Sequence, residues 1–399
     1  MTKNANILIS GASIAGTSMA YWLRRYGFTP TVVERAPAIR EGGYKVDIRG
    51  AALEVVERMG VMDAVLAGST EMTVATHYDA KGRKVATMDA ALFGGREGAD
   101  AEIMRGDLNE IFYDLTKDSV EYLFDDSIAT ISDDGVVTFE SGLTRKFDLV
   151  IGADGAHSNT RRIVFGDERQ FAHDLGYYVS ICSVPNHLGL DREEAVHVAP
   201  GRTANVYSTK QTSGAKALFL WASEPLDYNY SDVEQQKKLL ADAMAGVRWE
   251  VPKLLESVRD SRDFYFDSLT QIKMDRWSKG RVALVGDAAY CASPASGQGT
   301  SLAIVGAYVL AGELAAAAGD HEIAFDAYQR EMAEFVEANQ KLGPANVKGM
   351  VIPSKFMVWF TIRMLKLMPH MPGKDGMIER ITGPIRVAAN SITLKNYVE

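Results

Sequence analysis

The chain has 399 residues, of which 47% are hydrophobic and 24% charged. This composition suits an ordinary globular protein of two or three structural units whose core needs no disulfide or metal staple. Its 43 Lys and Arg stand against 52 Asp and Glu, a net charge of −9, so the global field repels polyanions and no nucleic-acid partner is expected. The two cysteines, Cys182 and Cys291, are far apart and the seven histidines are scattered, which leaves neither a disulfide framework nor a metal centre to build.

From the N-terminus, Ile7 to Ile9 reads as a buried strand, Gly11 to Gly16 as a tight turn, and the segment to Tyr26 as a helix stopped by Gly27. Thr31 to Glu34 is a second strand, and Ala51 to Met59 a helix closed by Gly60. No apolar export segment precedes Ile7, so a cytoplasmic location is expected. Between about Tyr177 and Ser223 the pattern becomes β-rich, with strands at Tyr178–Val184, Ala204–Thr209 and Lys216–Ala222. A helix is predicted over Asp232–Ala245, strand character at Phe264–Leu269 and Val282–Val285, and an Ala-rich helix from Gly299 to Ala318. The rest is helical, with breaks predicted near Gly343-Pro344, Pro353, Pro369 and Gly373. Arg363 and Lys366 interrupt the longest apolar stretch of this tail, short of the ~20 residues a membrane span requires, so no stable membrane insertion is expected.

Three blocks carry chemistry. The turn Gly11-Ala12-Ser13-Ile14-Ala15-Gly16 follows a strand and opens a helix, and Glu34 ends the next strand. Gly11 permits the turn, the helix N-terminus offers amides to a pyrophosphate, Gly16 permits close helix–strand packing, and Glu34 can accept from a ribose hydroxyl. Ser13 stands where the fingerprint has its middle glycine. The second block is Asp148 to Ser158, a strand breaking into the turn Asp154-Gly155, with Arg161 and Arg162 following. The third runs from Gly280 through Gly286-Asp287 to Pro294, Gly297, Gln298, Gly299 and Thr300. It is a strand ending on an acid, then a Gly-rich loop opening a helix whose N-terminus favours an electron-rich group.

In this order and spacing the blocks resemble the class A FAD-dependent monooxygenases, the aromatic-hydroxylase group of flavoproteins, over residues 5 to 320. The resemblance implies an α/β fold: a Rossmann-like FAD-binding domain split between 1–170 and 268–343, an inserted β-rich substrate domain over 171–267, and a C-terminal helical extension over 344–399. It implies FAD held by Gly11, Ser13, Ile14, Ala15, Gly16, Glu34, Arg35, Asp154 and Asp287. Arg105, in Arg105-Gly106-Asp107-Leu108, would reach the phosphates, and Pro294, Gly297, Gln298, Gly299 and Thr300 would line the flavin. NAD(P)H is the transient reductant it implies, and oxygen transfer comes from a flavin C4a-hydroperoxide, so no catalytic side chain is required. The sequence departs from the group at Tyr290, Ser301 and Gly306, where a histidine, an asparagine and an acid are common.

Substrate contacts are expected from Arg49, whose loop resembles the group's approach to the flavin edge, and from Phe219 and Trp221, which share one strand face. The alternatives are a solvated Arg49 and an ordinary sheet core. In the tail, Phe356, Phe360, Met364 and Leu367 form one helical stripe, flanked by Met357 and Met368, with Lys355, Arg363 and Lys366 elsewhere on the helix. Packing on the body is the leading expectation for this stripe, with a lid over substrate or a membrane-surface contact as alternatives. The extension also resembles the tetracycline-inactivating branch. The expected function is therefore FAD-dependent oxygenation, with O2, of a bulky planar aromatic or polyketide substrate by a monomer or weak homo-oligomer. The competing readings are a lipid or prenyl reductase and a flavoprotein that sequesters its ligand without oxidising it; a halogenase lacks its Trp-x-Trp segment here.

Overall fold

The computed structural model describes residues 5–40, 42–367 and 374–397; Met368, Pro369 and Gly373 lie outside the described residues. The central sheet has six strands in the order Ser278–Lys279, Val282–Leu284, Leu149–Gly152, Asn6–Ser10, Thr29–Glu34 and Glu121–Phe124. All neighbours run parallel except the first pair. Ile7, Leu8 and Ile9 are all fully buried, because a parallel sheet is covered on both faces and its strands read as continuous apolar runs. Helices Ile14–Arg25 and Gly299–Ala316 cover one face through Met19, Trp22, Leu302 and Ile304. A three-stranded antiparallel sheet covers the other, packing Val137 and Phe139 on Leu8 and Val150. Helix Gly299–Ala316 is long and apolar enough to cross a membrane, yet it is the core helix of this layer. Helix Ala51–Met59 ends on Gly60 at φ 76°, the left-handed cap read from the sequence.

A second sheet of seven strands forms the β-rich region, in the order Tyr265–Ile272, Ala172–Val184, Ala215–Ala222, Arg202–Tyr207, Glu193–Ala199, Val74–Tyr78 and Lys84–Asp89. The last two come from outside 171–267, which corrects the expected boundary. Val74–Tyr78 joins by parallel pairing to Glu193–Ala199, a long-range contact with no local turn signal. Pleating separates two faces. One, carrying Phe219, Trp221, Val206 and Ala217, packs on Leu240, Met244, Leu254 and Val258 of two helices, Val233–Ala243 and Val251–Asp260. The other, carrying Val179, Ile181 and Leu220, meets Ala295, Val347 and Val351.

The break expected at Gly343-Pro344 does not occur. Helix His321–Met350 runs through Pro344, so the expected start of the extension at 344 falls inside a helix. The carbonyl that a proline leaves without its helical donor, Gln340 O, accepts from Gln271 Nε2 at 2.6 Å. Gly343 lets the body approach, since a Cβ there would lie 2.8 Å from Ala292 O. Beyond it, helix Lys374–Ala389 packs on His321–Met350, with Asn339 Nδ2 donating to Ala388 O at 3.0 Å. The chain end returns to the first layer, where Lys395 pairs with Glu313 and Glu331 at 2.8 Å.

Two departures from the group's pattern compensate each other. Tyr290 is fully buried, its hydroxyl accepts from Tyr328 Oη at 2.9 Å, and a Cβ on residue 306 would fall 1.9 Å from that hydroxyl. Gly306 is therefore the partner that the bulk of Tyr290 requires. Gly306→Ala is expected to destabilise the fold by about 1 to 3 kcal/mol through overpacking. Adding Tyr290→Phe, which removes the clashing oxygen, should recover part of that loss in denaturant titrations; equal costs with and without the hydroxyl would refute the pairing.

Candidate active site

The crevice lies at the carboxyl ends of the parallel strands, where open α/β sheets place ligands. Gly11 takes φ +104°, and a Cβ on it would lie 2.6 Å from Ala153 O; a Cβ on Gly16 would lie 1.8 Å from Gly11 O. Only glycine fits either position. The helix starts at Ile14, and its N-cap, Ser13, makes no side-chain cap. Instead Ser13 Oγ accepts from Arg105 Nη2 at 2.7 Å, so the residue that breaks the fingerprint anchors the arginine expected at the phosphates. Glu34 accepts from Ala12 N at 2.8 Å and from Ala36 N at 2.9 Å, and its remaining lone pairs stay available for a hydroxyl. Arg35, beside it, is exposed.

Asn109, which the sequence reading missed, donates to Ala12 O at 3.0 Å and accepts from Thr17 Oγ1 at 3.0 Å. The signal for it was its place one helical turn beyond Arg105.

Asp154 is held by four donors. It accepts from Thr160 N and Thr160 Oγ1 at 2.8 Å and from the Ser158 and Ser10 hydroxyls. Its carboxylate thus bonds the first turn of the following helix, Asn159–Phe165. The chemistry of this block passes to Arg161, fully buried, which donates to Ala288 O at 2.9 Å and to Ala156 O at 2.6 Å, tying the second block to the third.

In the third block Asp287 opens the short helix Asp287–Tyr290, and burial pushes its carboxyl above the usual range, with Cys291 and Arg105 acting against that rise. Its Oδ1 would lie 3.7 Å from a Cβ on Gly299, so the acid faces the mouth of the Gly-rich loop. Pro294–Ser296 is a single 3₁₀ turn, followed by Gly297 at φ +66°. Gln298 is fully buried, yet among the described residues neither its side-chain nitrogen nor its oxygen has a partner; Ser293 Oγ and Arg49 Nε are in the same condition. Buried polar groups rarely stay unpaired. A planar ring with hydrogen-bonding edges on this turn answers that need, so the residues present fit a flavin.

Arg49 is neither solvated nor free. It is 3% exposed and donates to Gly95 O at 2.7 Å, Gly94 O at 2.6 Å and Asp47 at 2.6 Å, while its amide donates to Ser301 Oγ at 3.2 Å. Phe219 and Trp221 lie on the helix-covered face of the second sheet, so the expected substrate contact from them is not formed. Their neighbours Leu218 and Leu220 occupy the face toward Ala295. In helix Lys355–Leu367 no side chain is buried; Phe356 is 71% exposed and stacks on Phe360, Met364 is half-buried, and the helix rests against Lys84–Asp89 and Glu193–Ala199. Phe356, Phe360 and Leu367 of the stripe thus lie exposed, although the helix touches the body.

His157, at the rim, bridges the two sheets through Glu168 at 2.8 Å and Asp267 at 3.2 Å. Burial pulls its pKa down, but hydrogen bonds and charge from Asp267 and Glu168 outweigh this and raise it to about 10. A raised folded-state pKa gives stability that is complete below the unfolded value of 6.5 and fades as pH rises through about 10. The stability gap between wild type and His157→Gln should therefore be full at about pH 6 and shrink toward about pH 10. A gap independent of pH in urea titrations would show that the bridge is not ionic.

The sequence profile of the FAD binding domain family matches residues 4–342. An uncharacterised protein of Mycobacterium tuberculosis is 48% identical over 348 residues, 86% of this chain and 94% of that one. A flavin-dependent monooxygenase from an unknown prokaryotic organism is 41% identical over 402 residues, covering 100% of both chains. The crystal structure of the tetracycline destructase Tet(51) is similar at a TM-score of 0.85 and 38% identity, over 98% of this chain and 99% of that one. The chain belongs to the FAD-binding-domain family of flavin-dependent monooxygenases, oxidoreductases that hold FAD and typically draw electrons from NAD(P)H.

Proposed function

We propose that this monooxygenase oxygenates a bulky planar polyketide-type substrate of the tetracycline kind. The observation that carries this reading is the end-to-end likeness to the tetracycline destructase Tet(51), which includes the C-terminal helices as well as the FAD domain. When bound, FAD would supply the redox chemistry: two electrons from the nicotinamide and one O2 would put one oxygen atom into the substrate and release the other as water.

The chain's own residues bind, orient and exclude water. Glu34 would accept from a ribose hydroxyl, the amides of Ser13, Ile14 and Ala15 would receive the pyrophosphate, and Arg105, held by Ser13, would add a charge-assisted contact. Asp287 would accept from the ribityl chain, and the turn from Pro294 to Thr300, which includes the unpaired Gln298, would hold the ring. The apolar sheet face of Ile181, Leu218 and Leu220 would keep the reaction space dry, and Phe356 and Met364 of helix Lys355–Leu367 would close over the substrate.

Asp287→Ala should lower FAD affinity by about five- to 150-fold, the cost of about 1 to 3 kcal/mol for an unpaired hydroxyl, with Glu34→Ala similar at the adenosine end. Wild-type affinity in both, measured by flavin fluorescence, would show that the cofactor is wrongly placed. Incubation with tetracycline, NADPH and O2 should give a product heavier by one oxygen atom, and Phe356→Ala should raise KM without reducing FAD content. NADPH oxidation that tetracycline does not stimulate, with no mass change, would rule out this substrate class.

A further inference from the structure

The sheet face toward the flavin turn carries a row of directly paired residues: His77 opposite Val196, Val196 opposite Asn205, Asn205 opposite Leu218, and Leu218 opposite Ile181. Paired residues share a face. The row therefore starts at the apolar cluster around Ala295 and runs outward to His77. His77 and Asn205 are each only 8% exposed, and His77 Nδ1 and Asn205 Oδ1 have no hydrogen-bond partner among the described residues. Val196 lies between them, so the two polar groups stand two strand spacings apart, roughly 10 Å at their Cα atoms.

The orientation of the Asn205 amide is fixed by its neighbour. Glu194 Oε1 accepts from Asn205 Nδ2 at 2.8 Å, and Glu194 Oε2 accepts from Lys45 Nζ at 2.7 Å. A lysine-paired carboxylate has no proton to give, so the amide nitrogen must face it and the oxygen must point away as an acceptor. His77 has Phe93 against its ring edge-on at 5.8 Å, and burial lowers its pKa, which keeps the imidazole neutral. The nearby charges are satisfied among themselves: Lys45 with Glu194 and Glu102, Arg96 with Glu102 and Asp47, Arg49 with Asp47.

We propose that Asn205 and His77 form a specificity-determining subsite for the hydroxylated edge of a planar polycyclic substrate. Asn205 Oδ1 accepts from a phenolic or enolic hydroxyl, His77 Nδ1 bonds a second polar group along the same edge, and Val196 supports the carbon skeleton between them. This rests on the oxygenase reading of the cleft and adds a selection rule to it. A buried acceptor left unpaired penalises any ligand that lacks the donor far more than an apolar wall penalises a misfit in size.

The test uses the FAD-loaded full chain and reads binding from the perturbed flavin absorbance. The probes are 2-hydroxyanthraquinone, its 2-methoxy counterpart, and tetracycline. Wild type should favour the hydroxy over the methoxy compound by about five- to 100-fold. Asn205→Leu should abolish that preference while FAD content holds, and His77→Leu should weaken tetracycline binding. If Asn205→Leu loses FAD, Asn205→Ala makes the same comparison. No preference in wild type, or the same preference in the variants, overturns the subsite while leaving the oxygenase reading intact. Binding of none of the three probes to wild type overturns the planar-substrate reading, and the subsite falls with it.

Discussion

The carbonyl of Gly11 occupies the space where any other residue at position 16 would carry its Cβ. This contact brings the first helix down onto the turn that launches it, and Gly11 in turn lies against Ala153 of the neighbouring strand. Strand, turn and helix are thereby locked together with the exposed amides aimed into the crevice. Glu34 and Asn109 hold the two sides of Ala12, through its amide and its carbonyl, and Arg105 holds Ser13.

Much of the nucleotide-binding layer was legible because its determinants are local. A glycine at a fixed offset from a strand end, an acid at the next strand end and a left-handed cap at Gly60 are each decided within a few residues. What was misread depended on distant partners. Alternation in Ala215–Ala222 reveals that Phe219 and Trp221 share a face but not which layer that face meets. Two helices from residues 233–260 take the aromatic side and leave the leucines for the cleft. The parallel pairing of Val74–Tyr78 joins segments more than a hundred residues apart in the chain, beyond the reach of any local pattern.

The departures from the group's pattern form a connected set. Tyr290 fits because residue 306 has no side chain, and Ser301 offers a hydroxyl to the Arg49 amide. Such paired changes preserve packing volume and hydrogen bonding while altering the shape of the wall behind the flavin turn. The buried charges from Lys45 to Arg49 act similarly: with their pairings internal, the unpaired polar atoms beside them remain for a ligand.

Pro344 sits within a continuous helix because Gln271 bonds the carbonyl that the proline leaves without a donor. The tail is therefore joined to the body by a rigid strut rather than a joint at the proline. The first pivot after it is the short non-helical link from Val351 to Ser354, where Val351 is buried in the cleft-side core and Ile352 O receives Gly201 N at 2.7 Å. Any movement of helix Lys355–Leu367 would therefore pivot on the second sheet, and the strut would shield the flavin turn from its leverage. Displacing that helix would then leave the grip on the cofactor intact.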